Sequence, residues 1–322
     1  MQADKESWTQ DIESAVEGAV SAADAVIRTL FTTPDEDRLA VFNPLAFERT
    51  DFAEIEAQGV GPFVVIDVES GLEVPSQLYV RDGITYLRFL ARSVPSLGYR
   101  VYSYRSGTPA SWPGAATVST ATRTIENDRY RVVLGTRGQI VEATDKAPGP
   151  DLQMAGANGM NEFGTGIIQA ITAENVGPVS ATLRVDLTGP ARTVRITLYT
   201  DIDRIEIDNA INENVFGLRT YDFHVNLPGA QIRFEEIGAI ARPGLVTEGG
   251  DFLQGTRASR MTLNHFVDFE KTGYNIVLSN RDAFAMQVNN STNSTFDLTG
   301  DEVKVVIMEQ ALGSGTSNQG GD

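Results

Sequence analysis

From Asp37 onward, apolar residues fall on alternate positions or in short runs, and no further stretch carries helical spacing. Alternation of this kind builds strands whose side chains point to two opposite faces. Parallel sheets need crossover helices, and this chain offers none, so antiparallel sheets packed as sandwiches are the expected architecture. The clearest signal is Val194, Ile196 and Leu198, then Ile202, Ile205 and Ile207. Arg195, Thr197, Asp203, Arg204, Glu206 and Asp208 fill the gaps, giving one face for a core and one for water. Residues 39–42, 63–68, 84–90, 99–104, 219–225, 232–240, 265–269, 274–278 and 303–308 read the same way. Arg88, Arg92 and Arg100 stand between apolar neighbours and are expected on wet faces. Roughly fifteen to twenty short strands follow from the spacing of Gly, Pro, Asn and Asp.

Residues 8–31 are the exception. Trp8, Ile12, Val16, Val20, Ala23, Ile27 and Leu30 form one apolar stripe at three-to-four spacing. Ser7 is the expected N-cap, and Pro34 marks the end. A helix with one greasy side must bury it, so this one reads as a strut belonging to a neighbouring domain. The expected organisation is a helix over 1–36, a small β domain over 37–105, a linker over 106–120 and a large β-sandwich over 121–322. The linker rests on the Gly, Pro, Ser and Thr content of SGTPASWPGAATVST. The Gly-rich residues 313–322 read as a disordered tail or a loop whose next strand is cut away.

Composition closes several functional classes. The 322 residues carry 26 Lys and Arg against 43 Asp and Glu, a net charge of −17 that repels phosphate backbones and anionic lipid. No apolar run approaches membrane-spanning length and the first ten residues are polar, so neither a span nor a signal peptide is expected. A cytoplasmic location is the expectation. With no cysteine, disulfides, thiolate metal sites and cysteine nucleophiles are excluded, and His224 and His265 lie too far apart for a helical zinc pair. No metal site is expected within this chain.

The candidates for chemistry are few. Asp201, Asp203, Glu206 and Asp208 are dense, as a glycosidase carboxylate pair requires, but three of them fit polar positions of an alternating strand. Glu235–Glu236 and Asp301–Glu302 border turns. His224 or His265 with a carboxylate could move a proton on a sugar ring, as in an aldose epimerase. Trp112, Tyr79, Tyr86 and Tyr274 are possible stacking platforms for a carbohydrate-binding module. Asn289, Asn290 and Asn293 match the N-glycosylation acceptor pattern and read as a polar turn. There is no G-x-S-x-G elbow, phosphate loop or dinucleotide fingerprint.

Six short motifs resemble, in order, the β region of glycoside hydrolase family 38, the α-mannosidases. Val41-Phe42-Asn43-Pro44-Leu45-Ala46-Phe47-Glu48-Arg49-Thr50 is similar to its opening, and Val74-Pro75-Ser76-Gln77 to a following turn. Phe89-Leu90-Ala91 with Val94-Pro95-Ser96-Leu97-Gly98-Tyr99 resembles a strand pair. Residues 125–132 and 138–146 look like the start of the large sandwich and its first hairpin, and 199–212 with 267–278 continue in register. The resemblance spans about 41–319 and implies a small β-sandwich followed by a large galactose-mutarotase-like supersandwich. It implies a fragment: the family's barrel and helical bundle carry the nucleophile Asp and a divalent metal, usually zinc. Helix 8–31 then resembles the last helix of that bundle. A Gly-rich loop of the family supplies an Arg beside the substrate; Asn318 and Gln319 stand at the matching place here, with Gln in place of Arg. The expected function is therefore a non-catalytic β portion of an α-mannosidase-like hydrolase. Its expected partners are α-mannosides through the parent, the catalytic domain itself and further copies in a homo-oligomer. The alternatives are a free-standing carbohydrate-binding module or a mutarotase-like epimerase.

Overall fold

The computed structural model describes residues 2–31, 37–57, 59, 61–81, 83–147, 149–213, 215 and 217–308. Helix α1 spans Gln2–Phe31, and among the described residues every other regular element except one short 3₁₀ turn is a strand. The helix begins five residues before Ser7, which therefore lies inside it and is not its cap. Pro34 is outside the described residues. Trp8, Ile12, Val16 and Val20 are all exposed, so this part of the apolar stripe read from the sequence has no cover among the described residues.

The chain forms two compact units. The first comprises Met1–Ala115 with Gly177–Val179 and Thr200–Ile202. Its larger sheet runs β1 (Asp37–Asn43), β7 (Gly98–Ser106), β3 (Phe63–Asp67), β4 (Glu73–Val74), and its smaller runs β2 (Arg49–Glu56), β6 (Ile84–Val94), β5 (Ser76–Arg81). Phe63, Val65, Leu87, Phe89 and Tyr102 form their common core. Asn43 shows why the Asn-Pro motif ends β1. Its buried amide donates to the carbonyls of Phe47, Val94 and Pro95 at 2.7–3.1 Å, locking the turn while Pro44 stops the ladder. Arg88 is a correction to the wet-face expectation. It is 3% exposed, held by Glu54 and sandwiched between the rings of Tyr79 (3.7 Å) and Phe52 (4.3 Å).

The second unit holds four antiparallel sheets. One runs β12 (Leu152–Gln153), β11 (Ile140–Asp145), β10 (Tyr130–Leu134), β9 (Thr124–Glu126), β8 (Thr117–Ser119). A second runs β13 (Ile167–Glu174), β14 (Ser180–Thr188), β15 (Arg192–Tyr199), β16 (Glu206–Ile211). The third runs β17 (Arg219–His224), β24 (Glu302–Met308), β23 (Ala285–Val288), β20 (Met261–Thr262). The fourth runs β19 (Ala239–Ala241), β18 (Gln231–Glu236), β21 (Phe266–Lys271), β22 (Tyr274–Ser279). Alternating residues from all four meet in one core that includes Val132, Leu183, Ile196, Phe234, Phe269, Met286 and Val303. The result is the mainly β, sandwich-type architecture expected from the alternation, with 24 strands among the described residues against the fifteen to twenty expected. The excess comes from pieces of two or three residues, such as β4, β12, β19 and β20, too short to show a period.

Candidate functional site

β17 and β24 lie side by side with Phe223 opposite Val303 and Tyr221 opposite Val305, all four in the core. Because side chains alternate, the intervening residues share the other face: His224 opposite Glu302, and Asp222 opposite Lys304. Four ionisable groups are thus placed together by register alone. His224 Nε2 lies 3.0 Å from Glu302 Oε1, Lys304 Nζ lies 3.5 Å from Glu302 Oε2, and Lys304 also donates to Asn290 Oδ1 at 3.2 Å.

The electrostatics of this face are uneven. Burial pushes the Glu302 carboxyl above the ordinary glutamate range, although the charges of His224 and Lys304 pull it back. Asp222 Oδ1 is buried and meets no hydrogen-bond donor. Glu302 faces the imidazole at Nε2, and because an ionised carboxylate only accepts, a hydrogen bond between them would run from Nε2–H. Nδ1 has no partner among the described residues. An imidazole 3.0 Å from one carboxylate, with another two residues away, brings together the residue types that proton transfer uses.

The loop between β12 and β13 holds β17 from its free edge. Gly156 N–H donates to the His224 carbonyl at 2.7 Å, His224 N–H donates to the Gly159 carbonyl at 3.1 Å, and Glu162 pairs with Asp222 through both backbone bonds. Gly159 has φ +83°, and a Cβ there would lie 2.6 Å from the Ile140 carbonyl oxygen, so only glycine serves. Buried Arg192 anchors the far end of the loop by donating to the Thr165 carbonyl at 2.5 Å and the Arg137 carbonyl at 2.9 Å. Its charge sits 4.7 Å from the Phe163 ring, which packs at 5.3 Å on Tyr221, whose buried hydroxyl is pushed up to about 12 by desolvation.

The other sequence candidates are dispersed. His265 is largely exposed, lies just before β21 and not on the strand it was expected to open, and faces its own carboxylate, Glu235, at 2.9 Å. The two histidines are not brought into one sheet. Asp201 and Asp203 both lie in the connection before β16, which corrects the expected strand placement of Asp203. Each dense carboxylate has a partner: Asp201 with Arg92 (2.6 Å), Asp203 with Arg129 (3.8 Å), Glu206 with the Tyr199 hydroxyl (2.6 Å) and Asp208 with Arg195 (3.4 Å). All four aromatic platforms are half-buried. Tyr79 lies under Arg88, Tyr86 under Arg81, Tyr274 donates to Asp145 at 2.7 Å and Trp112 is half-buried. Of the three acceptor-like asparagines, Asn289 is 3% exposed and closes the turn onto Asp297 and Gly300. Asn318 and Gln319 lie outside the described residues. Sequence reasoning set Glu302 aside as a turn residue and missed Lys304. The available signal was that both share parity with His224 and Asp222 once the two strands pair. No cluster of three His, Asp or Glu side chains able to hold a metal ion occurs among the described residues.

No protein-family model and no curated protein matches this chain. Solved structures do. An α-mannosidase from Enterococcus faecalis V583 superimposes with a TM-score of 0.62 at 12% identity, covering 86% of this chain and 40% of that one. A glycosyl hydrolase family 38 protein from Enterococcus faecalis gives 0.61 at 11% identity, with 86% and 41% covered. The chain therefore spans about two fifths of the length of these neighbours and shares the fold of a part of the family 38 α-mannosidase architecture.

Proposed function

We propose that this chain is the C-terminal β portion of an α-mannosidase-like glycoside hydrolase, supplying packing, subunit contacts and part of a substrate rim without turnover of its own. The observation that carries the reading is the partial match: nearly all of this chain lies on less than half of an α-mannosidase. The retaining chemistry, the carboxylate nucleophile and the zinc or other divalent metal belong in this reading to a separate catalytic region, and α-mannosides are the substrate class. Exposed Trp8, Ile12, Val16 and Val20 on α1 are where that region packs. The purified chain is expected to release no 4-nitrophenol from 4-nitrophenyl α-mannoside, with or without added zinc. Measurable hydrolysis overturns the reading.

A second reading is favoured by one observation, His224 3.0 Å from Glu302 on the same sheet face as Asp222, whose Oδ1 meets no donor. In this reading the imidazole carries a proton from an anomeric hydroxyl to the ring oxygen, the ring C–O bond opens, and closure on the other face inverts the anomer. NMR of freshly dissolved α-mannose decides it. Faster anomerisation that is lost in His224→Gln supports an epimerase, and no acceleration by the unmutated chain removes that reading.

A further inference from the structure

We infer that β13 is a self-association edge, pairing antiparallel with β13 of a second copy of this chain. Natural sheets blunt their edges with charge, brevity or proline. Most edges here follow that rule: β4, β12 and β20 have two residues each, β8 and β19 three, while β16 carries Glu206 and Asp208 and β2 carries Arg49, Asp51, Glu54 and Glu56. β13 does not. It is the longest edge strand of its unit, IIQAITAE, with no charge before Glu174, and no described backbone pairs with its outer side. A bulge near Gln169 bends its start, leaving Ala170–Glu174 in unbroken register with β14.

That run suits a two-fold axis at Thr172. Antiparallel self-pairing sets Thr172 against Thr172, Ile171 against Ala173 and Ala170 against Glu174, so no like charges meet across the seam. Glu174 is already matched by Arg184 at 2.8 Å and Arg195 at 2.9 Å. This local balance selects the edge. A chain of net charge −17 resists meeting a copy of itself except where both signs are present. The other uncharged edge, β22, is shorter at six residues, and on its neighbour β21 only Glu270 is matched, by Arg233 at 2.8 Å, while Asp268 keeps a buried Oδ1 without a donor. Pairing would fuse two four-stranded sheets into one of eight, with Thr172 and Ala170 exposed and available in each copy.

Sedimentation velocity across a concentration series tests this independently of either functional reading. The unmodified chain is expected to show a reversible monomer–dimer equilibrium. Thr172→Lys sets two ammonium groups face to face and should raise the half-association concentration by at least about tenfold, with far-UV circular dichroism unchanged. Ala170→Lys serves as a second variant at the same seam and should act in the same direction. Val277→Lys on β22 and Val16→Asp on α1 should leave the dimer intact. A monomer at every concentration, a dimer indifferent to both seam variants, or a dimer lost with Val16→Asp overturns the inference.

Discussion

The β14–β15 pair and the β17–β24 pair are built alike and used differently. Each is an antiparallel ladder with one face in the same apolar core, through Leu183, Val185, Val194 and Ile196 in the first and Phe223, Val303 and Val305 in the second. Their opposite faces diverge. On β14–β15, Arg184 and Arg195 stand directly opposite, an arrangement that like charges disfavour. Glu174 bridges them, and Asp186 and Asp208 complete a ladder in which every charge is paired. Burial alone would raise the Glu174 carboxyl, but hydrogen bonds from Arg184 and Arg195 hold it below the ordinary range. On β17–β24, Glu302 has an imidazole and one ammonium in place of two guanidinium forks, and burial prevails. Two glutamates on equivalent faces are thus shifted in opposite directions. Paired charges consolidate a sheet, whereas a desolvated acid beside an unpartnered carboxylate oxygen is a poised arrangement.

The largest effects should be shared by the two pairs, because the core is shared. Leu183→Ala beneath the first and Met286→Ala beneath the second, both fully buried, should each cost about 2–5 kcal/mol in urea unfolding. A negligible loss for Met286→Ala would show that the β17–β24 sheet does not belong to that core. The pH response should then separate the faces. A carboxyl raised in the folded state favours folding most below the ordinary glutamate value, and that contribution is lost as pH rises toward the raised value. Glu302→Gln should therefore flatten the decline in Tm between mildly acidic and neutral pH. For Glu174 the sign reverses: its contribution is present above the ordinary value and lost as pH falls through the lowered one. Glu174→Gln should cost about 1 kcal/mol at neutral pH, by leaving two guanidinium groups opposed, and cost nothing in strong acid. Equal pH slopes for the two variants would break the distinction. The smallest effect is expected for Asp208→Asn at the exposed end of the ladder, at most about 0.5 kcal/mol and vanishing in high salt.

Much of this was legible beforehand where physics acts locally. Period-two runs at 194–198 and 219–225 became β15 and β17, and Asn43–Pro44 ended β1. Errors arose where a local pattern has two outcomes. Arg88 fits a wet strand face by alternation, yet two rings and Glu54 take it inside. Ser7 is a good cap by type, but the helix continues past it. Asp203 continues the alternation in the sequence and leaves the strand in space.

The order of residues determined that this chain is almost wholly β, that its sheets are antiparallel, and that α1 carries an apolar stripe, because periodicity depends only on near neighbours. It could not determine that His224 meets Glu302, 78 positions away, or that Asp222 Oδ1 is left without a donor. Those facts depend on which strands pair and in what register, since one residue of slip would turn Glu302 and Lys304 into the core and remove the site.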